Sequence, residues 1–127
     1  MYVQNHLTEW CIVTQQLGRK KLKDWIRSDD IGILRIPTKI FHPYRILILK
    51  ILYLHAGAEF RELRKDLNIT DGNLASHLRA LEVEGYIKVH KLIVDRKPRT
   101  TYVLTREGFE VYRLFREQIA SVIKNDL

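Results

Sequence analysis

The sequence is poor in the residues that covalent bracing and catalysis depend on. It holds one cysteine, Cys11, and one methionine. A lone cysteine excludes an internal disulfide and a thiolate zinc site, and leaves Cys11 the role of a small apolar core group. Three prolines and six glycines are too few for a low-complexity tract, and the glycines have no phosphate-cradling spacing. No carboxylate pair flanks an expected cleft and no Ser/His/Asp order appears, so no catalytic residue is assigned and an enzyme is not expected. The five histidines, His6, His42, His55, His77 and His90, lack a ligand spacing, so neither metal nor cofactor is expected. Long hydrophobic runs are missing as well. The richest, residues 44–56, is broken by Arg45, Lys50 and His55 and falls far short of the roughly 18–20 apolar residues that span a bilayer. The first residues show no basic segment followed by an apolar one, so no signal peptide is expected. These absences point to a cytoplasmic protein without a membrane partner.

What is present suffices for a core. Apolar residues make up 46% and charged residues 29% of 127 residues, which excludes disorder and suits one domain with a helical extension. Lys and Arg number 22 against 15 Asp and Glu, a net charge of +7. Such a surplus favours an acidic partner, nucleic acid or an anionic surface. Crowding of Ile and Leu, with few Asn and Gln, hints at a thermophile.

Hydrophobic periodicity organises the chain. Leu7, Trp10, Val13 and Leu17 share a stripe in an expected helix over 7–28, which carries a basic cluster at Arg19-Lys20-Lys21. Asp29, Asp30, Gly32 and Pro37 mark a connector, in which IGILRI reads as an extended stretch. Pro43 suits the first position of a helix running to Ala56 and stopping at Gly57. A short helix follows over 59–67. Thr70 is a good N-cap for another over 71–84, ended by Gly85. From Tyr86 the period shifts from 3.6 to 2, and a strand is expected, then a turn at Asp95-Arg96-Lys97-Pro98-Arg99, then a strand over 100–104. Thr105 caps a last helix with Tyr112, Phe115, Ile119 and Val122 at intervals of 3 and 4. Three helices and a hairpin make a winged helix-turn-helix, an α+β fold that is mainly α, with a helix added at each end.

On the 71–84 helix, Leu74, Leu78 and Leu81 fall on one side of the helical wheel and are core. Gly72, Ser76, Arg79 and Val83 face away, with Asn73, Ala75 and Ala80 on the flanks. A small, polar face of this kind permits close approach to base edges in a major groove. The hairpin tip, with Arg96, Lys97 and Arg99 within four residues and Pro98 stiffening the turn, can neutralise phosphates or enter a minor groove. His77, about 60° off the core direction, reads as a half-buried packing histidine.

Three segments, HPYRILILKIL, FRELRKDLNITDGNLASHLRALEVEGYI and DRKPRTTYVLTREG, together resemble the short winged-helix regulators of the MarR and ArsR type found in archaea and bacteria. The resemblance covers residues 42–108. It implies a homodimeric regulator of transcription bound to double-stranded DNA, with its recognition helix at 70–84 and its wing at 94–101. The implied DNA-binding residues are Thr70, Asp71, Gly72, Asn73, Ala75, Ser76 and Arg79 on the helix, and Arg96, Lys97 and Arg99 on the wing. Metal-sensing relatives carry paired cysteines where this chain reads Glu62-Leu63-Arg64-Lys65-Asp66, which excludes metal sensing by that route. No effector is indicated.

The chain thus divides into an N-terminal helical extension and connector (1–41), a winged-helix domain (42–108) and a C-terminal helix (109–127). The 43–56 helix is apolar all round, with Ile48, Leu49 and Leu52 for the domain core and Leu47, Ile51 and Leu54 pointing elsewhere. Such a helix must be covered on every side. The terminal helices are the candidates, with Trp10, Val13 and Leu17 at one end and Tyr112, Phe115, Ile119 and Val122 at the other as expected dimerisation residues. The competing reading is a winged helix that contacts other proteins, for which a wing this basic has little use.

Overall fold

A computed structural model of the chain describes residues 30–124. The expected helix over 7–28, Cys11 and the candidate residues Trp10, Val13 and Leu17 lie outside the described residues. Two short 3-10 helices, Asp30–Arg35 and Thr38–Ile40, lead into α1 (Pro43–Leu54), β1 (Ala58–Glu59), α2 (Phe60–Leu67), α3 (Asp71–Val83), β2 (Ile87–Val94), β3 (Lys97–Leu104) and α4 (Arg106–Lys124). The IGILRI segment is therefore a tight helical turn and not extended. It lies along α4, and a Cβ on Gly32 would overlap the Gln118 side chain. Beyond it Ile36 and Ile40 are buried in the core.

Local chemistry sets each boundary. Pro43 opens α1, and the His42 side chain caps it by accepting from the Tyr44 N–H at 3.2 Å. The helix ends at Leu54, two residues before Ala56, because His55 is already extended. At the start of α2, Glu59 and Glu62 form a capping box, with the Glu59 N–H donating to Glu62 Oε2 at 3.1 Å. Asn68 closes that helix in the left-handed conformation. Thr70 caps α3 by accepting from the Asn73 N–H at 3.3 Å. Its far end is a Schellman motif, with Tyr86 N–H donating to Leu81 O and Gly85 N–H to Glu82 O, and Gly85 at φ +81°. Thr105 Oγ1 accepts from Gly108 N–H at 3.0 Å and so caps α4, as expected.

The sheet has three antiparallel strands in the order β1-β3-β2. The hairpin turn is shorter than the sequence suggests. Only Asp95 and Arg96 form it, both at positive φ (52° and 64°), which is a two-residue type I′ connection. Lys97, Pro98 and Arg99 belong to β3. Pro98 stands opposite Ile93, the position next to the closing Val94–Lys97 pair, where the missing N–H would not have pointed at the partner strand. The two-residue β1 was not foreseen; it puts Ala58 opposite Tyr102 and Glu59 opposite Thr101. The core is built from Ile48, Leu49 and Leu52 of α1, Leu63 of α2, the α3 stripe, Ile87, and Val111 and Tyr112 of α4.

Candidate nucleic-acid interface

α3 separates core from surface as the wheel requires. Leu74, Leu78 and Leu81 are at most 2% exposed. Gly72, Asn73, Ala75, Ser76, Arg79 and Val83 are exposed, while Ala80 is half-buried. A Cβ on Gly72 would meet nothing within 4 Å, so the start of this face stands open. Two of the expected contact residues are engaged within the chain. The Thr70 hydroxyl is taken up by the helix cap, and the Asp71 carboxylate pairs with Arg64 of α2. Glu84, past the other end, pairs with Lys39 at 3.1 Å. Acidic groups at both ends of α3 are therefore partly neutralised, whereas Arg79 forms no ion pair among the described residues and stays available to an anion.

Between α3 and the sheet lies a cleft of about 420 Å³ bounded by Ala75, Arg79, Glu82, Val83 and Tyr102. Burial raises the Tyr102 phenol above its ordinary range, with the Glu82 carboxylate adding to the effect, so it stays neutral and can donate. The wing continues from this cleft. Arg96 sits at the turn and Lys97 beside it, both exposed and without an ion pair among the described residues. Arg99 stands two residues further along β3 and pairs with Glu59 at 3.4 Å. The three wing cations thus occupy one strand end and its turn, but only two of them are uncommitted.

His77 packs on the inner flank of α3. Its ring lies 4.2 Å from that of His42 and 5.7 Å from that of Tyr44, and Arg45 Nε donates to its Nδ1 at 3.2 Å. Desolvation, then the charges of His42 and Arg45, hold its pKa below 6.5. It is a half-buried packing residue. The Arg45 link, like the Glu59–Arg99 pair, escaped the sequence reading, because each joins residues more than thirty positions apart that only the folded chain brings together.

On α4, Tyr112 is 6% exposed and packs against Tyr53 and Phe115, while Phe115 meets Phe41 edge-on at 5.8 Å. Tyr112 therefore belongs to the chain's own core, and Phe115 is largely used there. Ile119 and Val122 are half-buried and Ile123 is 62% exposed. Ile119, Ala120, Ile123, Phe115 and Tyr53 line an open groove of about 720 Å³ with Arg113 and Arg116 on its rim. Among the described residues no helix is long and apolar enough to cross a membrane, and no cluster of three His, Cys, Asp or Glu could hold a metal ion.

Comparison with known proteins bears on the family and the fold. The winged helix DNA-binding domain family matches residues 44–123, and the chain belongs to that family. An uncharacterised protein of Methanocaldococcus jannaschii is 34% identical over 88 residues, which span 68% of this chain and 96% of the relative. The structure of a transcriptional regulator homologue from Pyrococcus horikoshii OT3 is 34% identical, with a TM-score of 0.71 over 80% of this chain and all of that one. A MarR-family regulator of Enterococcus faecalis, at 21% identity and a TM-score of 0.65, shares the fold over 77% of this chain and 88% of its own. The chain therefore carries a winged-helix DNA-binding domain and shares its fold with these transcriptional regulators.

Proposed function

We propose that this chain is a homodimeric, sequence-specific regulator that seats α3 in the major groove and its wing on the flanking phosphates or minor groove. The observation that carries the reading is the pairing of an exposed small-polar face on α3 (Gly72, Asn73, Ala75, Ser76 and Arg79) with uncommitted cations at the wing turn, Arg96 and Lys97. The first permits close approach to base edges; the second supplies sequence-independent attraction to phosphate. Arg99 joins the phosphate-contacting set once it leaves Glu59, and Thr70 and Asp71 support the set by holding the start of α3. A double-stranded DNA partner inside the cell follows.

Dimerisation is proposed from uncovered apolar surface. Leu47 and Leu54 of α1 are 42% and 64% exposed, and Ile123 of α4 is 62% exposed. The α4 groove, with Phe115, Ile119 and Val122, is the seam we assign to a second copy, and Trp10, Val13 and Leu17 remain candidates to extend it. A two-fold dimer places two recognition helices on half-sites about one helical turn apart. Selection of bound duplexes from a random pool, followed by footprinting, tests the whole reading. A repeated or inverted half-site with that spacing is expected. Failure to enrich any sequence over several rounds would refute sequence-specific binding.

A further inference from the structure

The wing is tied to α2 by a contact that the fold does not require. Glu59 is the residue before α2 and also half of β1, opposite Thr101 on β3. Side chains two apart on a strand share a face, so Arg99 projects on the same side as Thr101 and reaches Glu59, Nη1 to Oε1, at 3.4 Å. Around this pair is a cleft of about 360 Å³, with Glu59, Phe60 and Arg61 on one wall and Lys97, Arg99 and Thr100 on the other. Three cations, Arg61, Lys97 and Arg99, line this cleft beside one carboxylate, and of them only Arg99 pairs with it.

A guanidinium presents the same fork of donors to a carboxylate as to a phosphate, so the two compete for it. The Glu59 carboxylate is 25% exposed and Arg99 44%, which leaves the pair screened by water and weak enough to exchange. Resting on the DNA-binding reading above, we propose that this cleft is a seat for a DNA backbone phosphate and that Glu59 is its built-in competitor. Glu59 holds Arg99 in position when no duplex is bound and must surrender it when a phosphate enters. The cost falls on every duplex alike. It matters most for random sequence, where phosphate contacts supply nearly all the affinity. Glu59 is thus a positioning residue that holds down non-specific binding and limits sliding occupancy elsewhere on DNA.

The test compares the intact protein with Glu59→Gln on a labelled random-sequence duplex across a KCl series. Glutamine keeps an acceptor at the start of α2 and removes only the charge. Binding at about 0.1 M salt should tighten at least threefold, and the log–log salt slope should steepen by up to about 0.9 per copy. In an Arg99→Ala background the same substitution should change neither quantity, since Glu59 acts through Arg99. If Glu59→Gln fails to fold, Glu59→Asp carries the test: aspartate is the better helix cap, yet it draws the carboxylate back from Arg99 and should tighten binding in the same direction. Unchanged or weaker binding by the folded variant, or a gain that persists without Arg99, would overturn the competitor role. An intact protein that bound no duplex at any salt would instead remove the DNA-binding reading itself.

Discussion

Arg96 offers the most direct measurement of what the wing does. It occupies the second turn position at φ +64°, is exposed and has no ion pair among the described residues, so its charge is not shared. Two substitutions separate charge from backbone. Arg96→Ala removes the charge but leaves an L-residue in the left-handed region, whereas Arg96→Gly removes it and relieves the turn. Both should give the same DNA phenotype while differing in melting temperature, glycine being the more stable. For a dimer that loses one phosphate contact per copy, the log–log salt slope should fall by about 1.8. Referred to 1 M salt, that slope makes the variant about 60-fold weaker at 0.1 M and only about 5-fold weaker at 0.4 M. Fluorescence anisotropy with a labelled duplex gives these numbers directly. The loss should be equal on selected and random-sequence duplexes, because a phosphate contact carries no sequence information. A slope unchanged in both variants would take the wing turn off the DNA.

Arg79 makes the opposite prediction. Arg79→Ala should change the motif recovered from a random pool, with a cost of about 1–3 kcal/mol at the base it reads; recovery of the same motif at the same strength would reduce Arg79 to a phosphate contact or a bystander. For His77, the folded pKa lies below the unfolded value of 6.5, so the unfolded chain binds more protons in that range. Its stability contribution is complete above pH 6.5 and fades as pH falls through the folded pKa. The melting temperature of the intact protein should therefore drop more between pH 7.5 and 5.5 than that of His77→Gln; equal drops would show that the Arg45–His77 contact is not proton-sensitive. At the proposed seam, Ile119→Glu with Ile123→Glu should yield a folded monomer in sedimentation at micromolar concentration. A dimer that survived both changes would move the interface to Leu47 and Leu54 of α1 or to Trp10, Val13 and Leu17.

These substitutions are a sharper probe of assembly than removing residues 113–127, for a reason seen only in the folded chain. A 3-4-3 stripe on an isolated helix reads the same whether its partner is the same chain or another. Tyr112 and Phe115 turn inward on Tyr53 and Phe41, so truncation would open the monomer's core together with any seam. Periodicity identifies the buried side of a helix, not what buries it.

The same distinction explains what was legible. α1 to α4 and the β2–β3 hairpin declare themselves through local signals. Pro43, Thr70, Gly85 and Thr105 each act on hydrogen bonds within a few residues of themselves, and the α3 leucines need only the helical pitch. The hairpin register was misjudged because Pro98 is a strong turn former by composition, while the type I′ turn is decided by Asp95 and Arg96 accepting positive φ. That error had a consequence for the site. It placed Arg96, Lys97 and Arg99 together on one hairpin tip, whereas Arg99 stands in a strand, paired to Glu59. A two-residue strand such as β1 carries no period at all. Its existence rests on α2 bringing Ala58 and Glu59 beside β3, with Gly57 allowing the approach: a Cβ there would sit 3.1 Å from Thr101 Cγ2. The wing's charges are therefore not a property of the wing's own sequence. Through Glu59, the start of α2 engages one of the three wing cations, Arg99, within the chain and leaves Arg96 and Lys97 without an ion pair among the described residues.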